Sequence, residues 1–516
     1  MRMTRSKFLK LGLMGGVGLA LPLGTVSIPL ARLGAAAAVT SPDVEPFSAS
    51  LPVPPVLEPS RSDASTDYYE TAQKAARQEI LPGLQTTIWG YDGIFPGPTI
   101  EARSGRKVVV RQRNELPVPV VTHLHGGKTP PESDGYPTDL ILPEGYRSGP
   151  SGHKGHGPAE KHAHLFKDYH YPNEQRGATL WYHDHRMDFT GPQVYRGLAG
   201  FYLLRDEIED ELPLPTGDKE VPLMICDRTF EQDGSFYYPS VDPSLQGEHG
   251  TLANAINGMF GDTVLVNGIP WPFMEVSNTR YRFRILNASN ARVYDLALDP
   301  PPPGGKPFVQ IGSDGGLLER PLAHDRILTS PAERYDVVID FSRYPVGTEV
   351  TLENLEGEGR LRDVMRFVVT RREKDESSVP DRLAPELDFP DPEQAEVTRR
   401  FQFIAGGAWG GMSTINGKIF DSDRIDADPR LNSTEVWEIS ADPQHPVHLH
   451  LVHFKVLSRN GEPPEPYEAG WKDTVFTRGG TVRVAARFEG YRGKYVFHCH
   501  NLEHEDMMMM ANFEVV

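Results

Sequence analysis

Near the C-terminus the chain reads His498-Cys499-His500, then His504, then the methionine run Met507 to Met510. Successive side chains of an extended strand point to opposite faces, so His498 and His500 look one way and the Cys499 thiol the other. The turn that follows can bring His504 and a soft thioether such as Met509 back towards the sulfur. One Cys, one or two His and a weak axial Met form the ligand set of a blue-copper electron-transfer site. The two outward histidines then belong to a second metal centre, joined to the first through the bonds of the strand itself.

Three further His-x-His pairs occur: His123 with His125, His183 with His185, and His448 with His450. On a strand, histidines two apart share a face about 6.5–7 Å apart along the backbone, which lets them reach two metals of one cluster. Eight imidazoles suit three metals at low coordination, with positions left open for a small molecule. A zinc or manganese reading, as in a two-cupin protein or a zinc hydrolase, gives no role to Cys499, His504 and Met509, and needs fewer imidazoles and more carboxylates. Ligand softness and pattern favour copper.

The elements that carry these ligands read as strands. In 516 residues, Gly 49 and Pro 46 are high and long helical periodicities are absent, the profile of a many-stranded, turn-rich β protein. Residues 41–80 read as an irregular, Pro- and Ser-rich lead-in, with short strands from Leu84 onwards. Val118-Pro119-Val120-Val121 runs into His123-Leu124-His125-Gly126, and Leu180-Trp181-Tyr182 into His183-Asp184-His185. The turns Asp92-Gly93, Asn267-Gly268 and Asn416-Gly417 echo one another, and three weakly similar β units are the natural parse. The polar run from Arg371 to about Glu396 reads as a linker. Units one and three hold the His-x-His pairs, while unit two has only His249 and His324 and looks like a spacer. Metal chemistry is expected where units one and three meet. The loop bearing His153, His156, His162, His164 and His170 reads as a solvated insertion.

The formal charge of −18 is spread along the chain and argues against nucleic acid or an anionic membrane as partner. Cys226 is expected to stay unpaired, because a disulfide would consume the Cys499 thiol. Arg2, Arg5, Lys7 and Lys10 precede an apolar run to about Leu33 and then small residues, the pattern of an export signal over residues 1–40. Thr4 to Lys10 resembles a twin-arginine (Tat-like) signal with Ser6 in place of the second Arg, which points to a prokaryotic protein, periplasmic or secreted. Beyond it, no segment approaches about 18 continuous apolar residues, so no membrane span is expected in the mature chain.

The stretches His123-Leu124-His125-Gly126, Trp181-Tyr182-His183-Asp184-His185, His445-Pro446-Val447-His448-Leu449-His450 and His498-Cys499-His500-Asn501-Leu502-Glu503-His504 resemble the four signature motifs of the three-domain multicopper oxidases. Their wording is similar to the branch of spore-coat laccases, bilirubin oxidase and phenoxazinone synthase. The resemblance extends to Gln310–Gly316 and to Trp471-Lys472-Asp473-Thr474. It implies three consecutive cupredoxin-like Greek-key β-sandwich domains over residues 41–205, 206–373 and 374–516. It further implies a type 1 copper on His445, Cys499 and His504 with Met509 axial, and a type 2 copper on His123 and His448. One type 3 copper would lie on His125, His183 and His500, the other on His185, His450 and His498. Asp134 and Glu505 match acids near the trinuclear cluster and its proton supply. The activity implied is a laccase-like oxidation of small phenols or aromatic amines, including bilirubin-type or o-aminophenol donors, coupled to reduction of O2 to water. A metallo-oxidase of Cu(I) or Mn(II) is the alternative, although the only methionine cluster is Met507 to Met510. A copper-storage or electron-carrier protein would need only the type 1 ligands, not eight histidines.

Overall fold

A computed structural model describes residues 39–146, 161–240, 243–245, 257–408 and 412–516. The expected export signal up to residue 38, His153, His156 and His249 lie outside the described residues. No helix among the described residues is long and apolar enough to cross a membrane.

Strands form three successive pairs of sheets. In the first unit Thr66–Glu79, Lys107–Asn114 and Phe166–Tyr171 make one sheet, with Gln85–Tyr91 paired to its long strand. The other is Gly97–Arg103, Ala199–Arg205, Ala178–Asp184 and Thr122–His125. Tyr69, Val108 and Val110 of the first sheet and Leu124, Leu180 and Tyr202 of the second share one buried cluster, so the sheets close on each other. The second unit stacks a seven-stranded on a five-stranded sheet, and the third a five-stranded on a four-stranded sheet.

The three units repeat one topology. Thr66–Glu79 runs parallel to Lys107–Asn114, Glu220–Arg228 to Arg280–Asn287, and Val397–Ala408 to Thr434–Ala441. Parallel neighbours cannot be joined by a tight turn, so the chain must leave the sheet between them. It does so through Gly97–Arg103 in the first unit and Phe273–Ser277 in the second, each of which joins the opposing sheet. The echoing turns are also equivalent: Asp92 and Gly93, Asn267 and Gly268, and Asn416 and Gly417 all have positive φ. Two consecutive positive-φ residues define a type I′ turn, which is why Asn or Asp precedes Gly each time. The result is the expected all-β architecture of three consecutive Greek-key sandwiches.

One expectation changes. The lead-in over 41–80 contains the 14-residue strand Thr66–Glu79, which pairs with three others. Its buried positions are Thr66, Tyr69, Thr71, Ala72 and Gln73, so it lacks the aliphatic alternation that marks a strand. The described part of the histidine insertion is solvated as expected, and it also forms strands: Lys161–His164 pairs with Asp139–Leu142, and Phe166–Tyr171 joins the first sheet. His162, His164 and His170 are exposed on it. The segment from 372 to 396 carries no strand, as a linker should, but Leu383 and Ala384 pack on Ile311, Leu318 and Val338 of the second unit.

Candidate metal centre

Register brings the histidines together. In the first unit His123 lies directly opposite His183, and His125 opposite Trp181. In the third unit His448 lies opposite His498, and Val447 opposite Cys499. Directly opposed residues share a face of the sheet, so each four-stranded sheet presents a row of imidazoles. The two rows meet: His123 stacks on His450 at 3.7 Å between ring centroids, and His125 on His448 at 3.6 Å. His185 and His500 follow immediately after the strands Ala178–Asp184 and Gly493–Cys499. All eight rings are buried.

The ring nitrogens sort into those held by the protein and those left facing one another. His123 Nδ1 donates to the Asp134 carbonyl (2.5 Å), His183 Nδ1 to the Asp184 carbonyl (2.8 Å) and His448 Nδ1 to the Asp473 carbonyl (2.9 Å). His450 Nδ1 donates to Asp134 Oδ2 (2.7 Å) and His498 Nδ1 to the Cys499 carbonyl (3.0 Å). Their Nε2 atoms therefore turn inwards as lone pairs. His498 Nε2 is 3.3 Å from both His185 Nε2 and His450 Nε2, and His123 Nε2 is 3.4 Å from His448 Nε2. His125 is reversed: its Nε2 meets Asp473 Oδ1 (3.0 Å) and Thr474 Oγ1 (3.1 Å).

Buried and without a hydrogen-bond partner are His125 Nδ1, His183 Nε2 and both ring nitrogens of His500. Those three rings lie 5.1–5.9 Å apart between centroids. Burial of an unpaired polar atom is costly, so a set of inward, unsatisfied lone pairs marks a place for cations. Burial, followed by the neighbouring imidazoles, holds His123, His450 and His500 well below the usual histidine range, and brings His183 to about 3. These four rings are thus neutral ligands at physiological pH.

The other centre lies on the opposite face of the same strand. His445 Nδ1 is 3.2 Å and His504 Nδ1 3.6 Å from Cys499 Sγ, and the two nitrogens are 3.1 Å apart. The Asn501 N–H donates to the sulfur at 3.4 Å. Burial pushes the thiol well above its usual range, so a bound cation is what makes it a thiolate. Met509 is fully buried in the same apolar cluster as Cys499, whereas Met508 and Met510 pack with Tyr136, Met187 and Phe420. Both cysteines are free, Cys226 buried well away in the second unit's core.

Asp134 and Glu505 stand behind the histidines. Glu505 Oε2 is 3.1 Å from His498 Nδ1, and its Oε1 is 3.3 Å from His185 Nδ1 and accepts from Thr190 Oγ1 (2.7 Å). Burial raises the Asp134 carboxyl to about 8. Burial also acts to raise Glu505, but His185 and His498 outweigh it and hold that carboxyl well below its usual range.

Four participants were not singled out from sequence. Asp442 Oδ1 accepts from His445 Nε2 (2.6 Å), Trp181 stacks on His183 (4.2 Å between centroids), Asp473 meets His125 and His448, and Arg334 of the second unit pairs with Asp473. The second unit is therefore no mere spacer. The one available signal was in Trp471-Lys472-Asp473-Thr474 and Gly312-Ser313-Asp314, which stood out without a role. His324 stays apart, bonded to Gln310 Oε1 (2.9 Å).

The donor set, imidazoles with one thiolate and a thioether, suits copper. Comparison with known proteins points the same way. Two models of the multicopper oxidase family match residues 73–148 and 390–516. A laccase of Bacillus subtilis (strain 168) is 39% identical over 92% of this chain and 99% of its own length. A bilirubin oxidase of Albifimbria verrucaria is 37% identical over 92% of this chain and 82% of its own. The crystal structure of a laccase from Pediococcus acidilactici superposes with a TM-score of 0.78 at 31% identity, covering 92% of this chain and 95% of that one.

Proposed function

We propose that this chain, which belongs to the multicopper oxidase family and is a laccase-like oxidoreductase with type 1, type 2 and type 3 copper, oxidises small phenols and aromatic amines at the expense of O2. The observation that carries the proposal is the strand Gly493–Cys499 and the residue after it: Cys499 faces His445 and His504, while His498 groups with His185 and His450 and His500 lies against His125 and His183. His445, Cys499, His504 and Met509 hold type 1 copper. His123 and His448 hold type 2; His125, His183 and His500 hold one type 3 copper, and His185, His450 and His498 the other. Copper held by these residues would supply one-electron redox chemistry at the cysteine site and the capacity for four-electron reduction of O2 to water at the histidine site.

The residues of the chain do the rest. The Cys499 sulfur and the peptide bonds to His498 and His500 give a covalent route between the sites. Asp134, whose burial favours the protonated form, keeps a proton on Oδ1 while Oδ2 accepts from His450 Nδ1. Glu505, held well below its usual range, keeps a negative charge against His185 and His498. Complete burial of all eight rings shields the histidine site from bulk water.

The kinship to a laccase and a bilirubin oxidase supports an organic donor over Cu(I) or Mn(II). Domain limits at 205/206 and 373/374, and export behind a leader over 1–40 to the periplasm or medium, complete the proposal. Oxygen uptake by the copper-loaded enzyme is the test, using simple phenols, o-aminophenols, bilirubin, Cu(I) and Mn(II) as donors. Four electrons from an organic donor per O2, without peroxide, are expected. Turnover with the metal ions alone would overturn the donor class.

A further inference from the structure

Arg334 is fully buried in the second unit, which supplies none of the proposed ligands. Its guanidinium has five N–H donors, and all five are used. Nε donates to the Thr179 carbonyl (2.9 Å) on the first unit's strand that leads to His183. Nη1 donates to the Ala332 carbonyl (3.0 Å) and to Asp473 Oδ1 (2.7 Å). Nη2 donates to the Asp314 carbonyl (3.2 Å) and to Asp473 Oδ2 (2.5 Å). One side chain thus bonds to all three units, with a two-pronged grip on the Asp473 carboxylate.

Asp473 passes that grip on. Its Oδ1 accepts from His125 Nε2 (3.0 Å) and from Thr474 Oγ1 (2.9 Å), and its carbonyl accepts from His448 Nδ1 (2.9 Å). These bonds fix His125 with Nδ1, not Nε2, turned inwards, and that Nδ1 is the buried, unpartnered atom. Among the eight rings, His125 is thereby set apart from its stacked neighbour His448, which is held through Nδ1. Backbone space is equally committed: at Gly126, φ is +83°, and an added Cβ would lie 2.6 Å from Arg334 Nη2 and 2.8 Å from Asp473 Oδ2.

Resting on the copper assignments proposed above, we infer that Arg334 is a positioning residue for the trinuclear centre: through Asp473 it selects the tautomer of His125, a proposed type 3 ligand, and aims it together with His448, a proposed type 2 ligand. Lysine cannot replace it, because a single ammonium lacks the planar fork that grips both carboxylate oxygens while still reaching Thr179. Second-layer partners of metal-bound histidines typically contribute about 10- to 100-fold in metal affinity.

The test compares the copper-loaded full-length enzyme with Arg334→Lys and Asp473→Asn, by copper count, the paramagnetic-resonance signal of type 2 copper and the blue absorption of type 1. The inference expects copper at the histidine site, counted per chain, to bind about 10- to 100-fold more weakly, or the type 2 signal to change its hyperfine splitting, while the blue absorption per folded chain stays unchanged. Asp473→Asn keeps the side-chain shape and covers the case in which Arg334→Lys does not fold. A normal copper count with a normal type 2 signal in both variants, or equal loss of copper from the type 1 and histidine sites, would overturn it. A wild-type enzyme with no type 2 signal would overturn the copper assignments and this inference together, whereas a normal wild type with unaltered variants sinks the inference alone.

Discussion

Asp134 and His450 belong to different units, yet the Asp134 carboxylate accepts a hydrogen bond from His450 Nδ1 at 2.7 Å while the Asp134 carbonyl holds His123. One buried acid of the first unit therefore orients a ring of each sheet. Asp134→Ala leaves His450 Nδ1 buried without a partner, at about 1–3 kcal/mol. Copper bound per chain is expected to fall. Asp134→Asn keeps an acceptor but not a proton. It should hold its copper, with kcat lowered about 100-fold and KM for the donor unchanged, as steady-state kinetics can check.

Met509 shares its burial with Cys499, whereas Met508 and Met510 point into a separate cluster with Tyr136 and Phe420. Potentials of blue-copper sites are tuned by the axial ligand. Met509→Leu should raise the type 1 potential, because a donor to the oxidised state is lost. Met508→Leu and Met510→Leu should leave it unchanged. A redox titration followed at the blue band distinguishes the three.

Glu220 ties the first two units together: its Oε1 accepts from Arg205 Nη1 (2.6 Å) and Arg284 Nε (2.5 Å). Burial acts to raise its carboxyl, but Arg284, Arg282 and Arg205 outweigh it and bring it from 4.5 down to about 2. A depressed carboxylate stabilises the fold above its unfolded value and loses that contribution as pH falls through the folded one. Breaking a buried pair costs about 3–5 kcal/mol, so Glu220→Gln should be destabilised by that order at pH 7. The gap to wild type should shrink between pH 4.5 and about 2, as thermal unfolding at several pH values will show.

Gly126 follows His125 at φ +83°, with the Arg334–Asp473 pair against it. In Gly126→Ala the left-handed backbone costs about 1–2 kcal/mol and overpacking about 1–3 kcal/mol more. Calorimetry should show a lower unfolding temperature, by more than an exposed positive-φ glycine such as Gly347 gives on the same change.

The clusters of candidate ligands were legible because their spacing is local: two residues apart on a strand puts His123 and His125, or His498 and His500, on one face, and Cys499 on the other. The three-unit architecture was legible from the repeated Asn-Gly and Asp-Gly turns, whose positive φ demands those residues. What surrounds the ligands was not. Arg334 and Asp473 are 139 residues apart, and neither carries a pattern that predicts the other. The strand Thr66–Glu79 was missed for a related reason. Its inner face is closed by polar partners, such as Gln73 donating to Thr122 Oγ1 at 2.8 Å, not by aliphatic residues.

Everything proposed for electron entry passes through one atom, the Cys499 sulfur between His445 and His504. Cys499→Ser removes that sulfur and leaves the eight histidines in place. The spectrum, copper content and donor-dependent oxygen uptake of this variant are the most direct measurement. Loss of the blue absorption and of donor oxidation, with copper falling from four ions per chain to three, is the result expected from one lost type 1 site. A Cys499→Ser enzyme that stays blue and still oxidises its donors would contradict the account.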